Sequence, residues 1–136
     1  MGLDIYFYRV SGVDKDLFLN SDDGIIEILN TEEDVYFRKA NFLYSYFAEY
    51  IDPVNQWCVV SKRDIENLRD VCKFVADNRG DENIAKVRLP TRAGLFFGST
   101  EYDDRYYDSI EWCYKHMDDL LAFSNEDDNY VIWFSW

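Results

Sequence analysis

The chain of 136 residues carries 27 acidic and 14 basic side chains, a formal charge of −13. Its 48% hydrophobic and 18% aromatic content supplies one buried core and excludes a disordered chain, and its length fits a single domain spanning 1–136. The acidic excess excludes direct binding to nucleic-acid phosphates or to an anionic membrane surface, because both need surplus Lys and Arg.

In chain order, Leu3, Ile5 and Phe7 alternate with Asp4, Tyr6 and Tyr8, a period of two that predicts a strand over 3–10. The pair Asp23-Gly24 between short apolar runs predicts a hairpin within 17–29. Three Ser/Thr-x-x-Asp boxes, Thr31…Asp34, Ser61…Asp64 and Thr100…Asp103, each precede helical periodicity and predict capped helix starts. The first helix is expected over 32–51, with Pro53 beyond its end. The second repeats Ile65, Leu68, Cys72 and Val75 and closes before Gly80. The third repeats Tyr106, Ile110, Cys113 and Met117. Trp57 to Val60 and Tyr130 to Trp136 read as further strands, and the two near the chain ends are the natural central pair. The expected architecture is α+β: a small, mainly antiparallel sheet containing both chain termini, packed by three helices.

Charge is segregated along the chain. Residues 14–34 hold eight acids and one base, and residues 100–136 hold ten acids and two bases. On the third helix, Asp104, Asp108, Glu111 and Asp118 fall opposite the apolar stripe and form a candidate acidic surface. The three cysteines, Cys58, Cys72 and Cys113, are odd in number and lack a Cys-x-x-Cys pair. They read as buried thiols in a reducing cytoplasm rather than as a disulfide or zinc framework. The N-terminus has no leader-like pattern, and no apolar run reaches the roughly 18 residues of a membrane span.

Known chemical motifs find little support. His116 is the one imidazole and reads as a boundary residue of the third helix. The run Gly94 to Thr100 lacks the Lys of a phosphate loop, and Glu101, Asp103 and Asp104 already occupy the positive helix end. Counting back from Gly24 does not yield a calcium loop. No catalytic residue, metal site or cofactor is assigned. Lys86, Arg88 and Arg92 beside the aromatic-glycine turn form a possible anion site, with pairing to the acidic excess as the commoner alternative.

Several stretches together resemble a group of small proteins recurring in bacteriophages and bacterial genomes. They are MGLDIYFY at the start, VYFRKAN at 35–41, CVVSKRDIENL at 58–68, LPTRAGLFFGSTEYDDRYYDSI at 89–110 and the final Ser135-Trp136. The resemblance implies a phage or prophage context and supplies no activity. Members of that group often carry a His near the position of Tyr44, which this chain lacks. Convergence of the first helix with the 89–110 block would form a polar constellation of Arg38, Asn41, Arg92, Thr100, Glu101 and Asp103 beside an aromatic wall.

The expected function is a non-catalytic protein-binding module or inhibitor, acting on a host protein with a basic surface. The alternative is a small-molecule sensor or enzyme with its site around Arg92–Asp104. Seven aromatics between Tyr36 and Tyr50 exceed what one helix face hides, so self-association is a third expectation.

Overall fold

A computed structural model describes residues 2–10, 26 and 28–136. The expected hairpin turn at Asp23-Gly24 and most of the acidic stretch 14–34 lie outside the described residues.

Among the described residues, four antiparallel strands form one sheet in the order β2-β1-β4-β3: β1 (Asp4–Val10), β2 (Val35–Arg38), β3 (Trp57–Ser61) and β4 (Asn129–Ser135). The expected α+β class is observed, and the two strands nearest the chain ends are central. Four fully described helices accompany them: α1 (Asn41–Phe47), α2 (Lys62–Asp77), α3 (Glu82–Arg88) and α4 (Asp104–Ala122). Alternation decides the sheet's two faces. Leu3, Ile5, Phe7, Phe37, Ile132 and Phe134 turn inward onto the helices and are at most 4% exposed. The opposite face carries a cross-strand aromatic row. Tyr36, Tyr6, Trp133 and Trp57 come from the four strands in register, with Tyr6 stacked on Trp133 at 5.3 Å. Ile28 and Leu29 pack on this second face.

The expected helix over 32–51 is corrected. Its first part is strand β2, in which Val35 and Phe37 are buried and Tyr36 and Arg38 exposed. Pairing with β1 hides both inward side chains, which a surface helix turn would leave half exposed. Thr31 does not cap a helix: its hydroxyl donates back to the Ile28 carbonyl at 2.6 Å, and Asp34 accepts the Arg9 amide at 2.6 Å. Lys39, at φ 57°, breaks the chain between strand and helix, so α1 has only seven residues.

The Ser61…Asp64 box is realised in full, each side chain bonding the other's backbone amide. The third box is shifted. Asp103 itself caps α4, accepting the Tyr106 amide at 3.1 Å, while the Thr100 carbonyl accepts the Thr91 hydroxyl at 2.9 Å. Helix α3 was not expected. Asp81 caps it, but it buries only Ala85, so its sequence carries almost no periodic signal. Helices α2 and α4 pack against each other, with Cys72 and Cys113 both fully buried. All three thiols are free, and burial pushes the Cys58 thiol up to about 12. Among the described residues, no helix is long and apolar enough to cross a membrane.

Candidate functional site

The residues that the sequence suggested as one constellation are partly brought together. A groove of 180 Å³ opens where β2 runs into α1, facing the loop before α4 and the first turns of that helix. Arg38, Asn41, Glu101 and Asp103 line it, joined by Lys39, Thr91, Ser99, Arg105 and Ser109.

Asn41 builds the floor. It is buried, and its side-chain amide donates to the Phe97 carbonyl at 3.1 Å and the Ser99 carbonyl at 3.0 Å. Its side-chain oxygen accepts the Arg92 amide at 3.1 Å. One side chain thus ties both ends of the 92–99 loop to α1, so Asn41 positions the loop and has little free capacity for a ligand. Gly98, at φ 93°, lets that loop pass beside Lys39: a Cβ there would lie 3.0 Å from the Lys39 Cβ. Tyr106 closes the wall, donating to the Leu89 carbonyl at 2.7 Å, and burial holds its hydroxyl well above the ordinary phenol range.

Arg92 and Thr100 fall outside the groove. The Arg92 guanidinium lies over the Tyr44 ring at 4.7 Å, a cation–π contact. Lys86 and Arg88 likewise sit over Tyr102 and Phe74 and do not join an anion site with Arg92.

The groove is electrostatically unfinished. Arg38, Lys39, Glu101 and Arg105 have no ion-pair partner among the described residues. Sequence reading missed Arg105 and Ser109. They stand four residues apart on α4, the spacing that puts side chains on one helix face, and that signal was available.

The four acids of the candidate acidic surface have partners from α2 and its end. Arg79 reaches Asp104 at 3.1 Å, Asp108 at 3.1 Å and Glu111 at 3.5 Å, while Arg69 reaches Asp118 at 3.6 Å. Three carboxylates against one guanidinium leave the Arg79 cluster two charges negative, so the seam is reduced in charge and not neutral.

His116 stacks on Trp112 with ring centres 3.7 Å apart, and its Nδ1 donates to the Trp112 carbonyl at 2.9 Å. Among the described residues, no group of His, Cys, Asp and Glu side chains is arranged to hold a metal ion. Compared with protein-family models, curated proteins and solved structures, the chain matches none.

Proposed function

We propose that this chain is a non-catalytic binding module that acts on another protein, with the groove at the β2–α4 corner as its recognition site. The observation that carries the reading is the convergence of Arg38, Glu101 and Asp103 on one open groove, where Arg38 and Glu101 have no ion-pair partner among the described residues and Asp103 caps α4. Unpaired ionic side chains around a rigid, hydrogen-bonded floor suit an incoming charged side chain, because the floor is already ordered before binding. The partner proposed is a protein with a basic surface, met by the Asp104–Asp108–Glu111 cluster beside the groove, which retains excess negative charge, and by Glu101, which has no ion pair among the described residues. Arg38, Lys39 and Arg105 make the groove itself a mixed-charge contact. The resemblance to small phage and bacterial proteins makes a host-cell protein in the bacterial cytoplasm the natural target, with inhibition as the consequence of occupying its basic surface. Three buried free thiols are in keeping with a reducing compartment.

Placement ranks the small-molecule alternative lower: Arg92, around which that site was expected, lies outside the groove with its guanidinium over the Tyr44 ring.

The test is capture from host lysate by the immobilised chain and by Glu101→Lys/Asp104→Lys, over a series of salt concentrations. A saturable partner that weakens steeply with salt and is lost with the double variant is expected. A partner bound equally by both proteins, or the absence of any saturable partner at low salt, overturns this placement.

A further inference from the structure

A longer furrow runs along the whole of β2 where that strand faces α4, and three hollows lie along it in order. Arg38 and Arg105 line the first; Tyr36, Phe37, Ser109 and Trp112 the second; Asp34, His116, Asp119 and Phe123 the third. Strand and helix therefore run in opposite directions. The helix presents Arg105, Ser109, Trp112, His116 and Asp119, at alternating steps of four and three that share one face.

Strand β2 is an edge of the sheet, paired only with β1 among the described residues. The Lys39 amide donates to the Leu3 carbonyl at 2.6 Å. The alternation of an antiparallel ladder then turns the backbone amides and carbonyls of Tyr36 and Arg38 outward. Such an edge is a template for another strand. Beside it, Tyr36 and Trp112 are 38% and 41% exposed.

We propose that a second copy of this chain completes the furrow, β2 pairing antiparallel with β2 about a two-fold axis near Tyr36 and Trp112. The charge pattern argues for it. An axis through Tyr36 sets Arg38 near Asp34 of the second copy, each two residues from the centre; Asp34 lies just before β2, and its carboxylate also accepts the Arg9 amide at 2.6 Å. The same axis through Trp112 sets Arg105 opposite Asp119 of the second copy, each seven residues from the centre on one helix face. Both pairs are opposite in sign and each forms twice, as a self-complementary interface requires. Tyr36 and Trp112 line the same hollow, so one axis passes near both. Arg38, Arg105 and Asp119 have no ion-pair partner within the chain among the described residues. Phe37, edge-on at 4.7 Å, and the stacked His116 hold Trp112 as a fixed aromatic anchor at the middle of the patch. A foreign strand would also satisfy the edge, but nothing about it would require charges balanced around one point. The result is a continuous sheet made of two four-stranded halves.

The dimer engages Arg38 and Arg105, which also line the groove, so it is tested on the chain alone, where no other protein competes for them. The test is sedimentation of the full chain across a wide concentration range, beside Arg105→Glu, Asp119→Arg and the two combined. Dimerisation is expected in the wild type, weakened roughly tenfold or more by either single reversal through like-charge contact. The double variant should recover it, since each new charge meets its opposite on the other copy. Both residues are exposed, so circular dichroism should show unchanged folding. Amide exchange at Tyr36 and Arg38 should slow as the dimer forms. A monomer at every concentration, or a dimer indifferent to the single reversals, overturns the proposal.

Discussion

Asn41 and Ser99 lie 58 positions apart in the chain and are joined by a hydrogen bond of 3.0 Å from the Asn41 amide to the Ser99 carbonyl. Together with the bonds to Phe97 and Arg92, this contact makes a single side chain the latch of the loop that shapes the groove. Ser99 and Arg92 are exposed and water replaces Asn41 there, but the Phe97 carbonyl belongs to a buried residue. Asn41→Ala should therefore cost about 2–3 kcal/mol, near the penalty for one unsatisfied buried polar group plus the lost packing. Chemical denaturation measures the loss, and amide exchange should show the 92–99 segment loosening before the sheet does.

Two glycines with the same backbone angle separate strain from crowding. Gly80 and Gly98 both sit at φ 93°, but a Cβ on Gly80 meets nothing within 4 Å, whereas one on Gly98 meets Lys39. Gly80→Ala should cost about 1–2 kcal/mol from the left-handed conformation alone. Gly98→Ala should cost visibly more in paired thermal melts, because the loop or the Lys39 turn must also move.

Arg79 is the counter-charge of α4. Its pKa is raised chiefly by the Asp104 hydrogen bond, so the guanidinium stays charged, and Arg79→Ala leaves three carboxylates on adjacent turns facing one another. The variant should melt lower than the wild type at low salt. The gap should close as salt is added, because the site is exposed to screening. An equal gap at all salt concentrations would assign the loss to packing on Tyr107, over whose ring the guanidinium lies.

Tyr36 gives the protein an alkaline weakness. Its hydroxyl donates to the Asp4 carboxylate at 2.5 Å, and this bond, more than burial, raises its pKa from 10.0 to about 12. The folded state holds the neutral phenol, so its contribution is complete below pH 10 and is lost as pH rises towards about 12. Tyr36→Phe should remove that part of the slope. The difference between the two proteins' stability–pH profiles isolates it from the other raised tyrosines.

Legibility depended on how local each signal was. The alternation in β1, the capping box at Ser61 and the apolar repeat of α2 and α4 need only neighbours in the chain, and each appears where its pattern lies. The stretch from Val35 to Phe47 misled because aromatics stand on every face of it, satisfying a helical period and a period of two at once. Long-range pairing with β1 broke the tie by burying Val35 and Phe37 together. For the site, Arg38, Asn41, Glu101 and Asp103 were named from sequence and share the groove, while Arg92 found an aromatic ring that spacing does not disclose.

Composition and periodicity by themselves determined an α+β chain with the strands near both chain ends central, because side-chain burial repeats at short range. Only the tertiary structure decided that α2 lays Arg79 and Arg69 against the acids of α4, that Asn41 is a latch, and that β2 is an edge beside Trp112. Those facts depend on which distant elements meet, and that is settled by the packing of the whole core rather than by any segment of it.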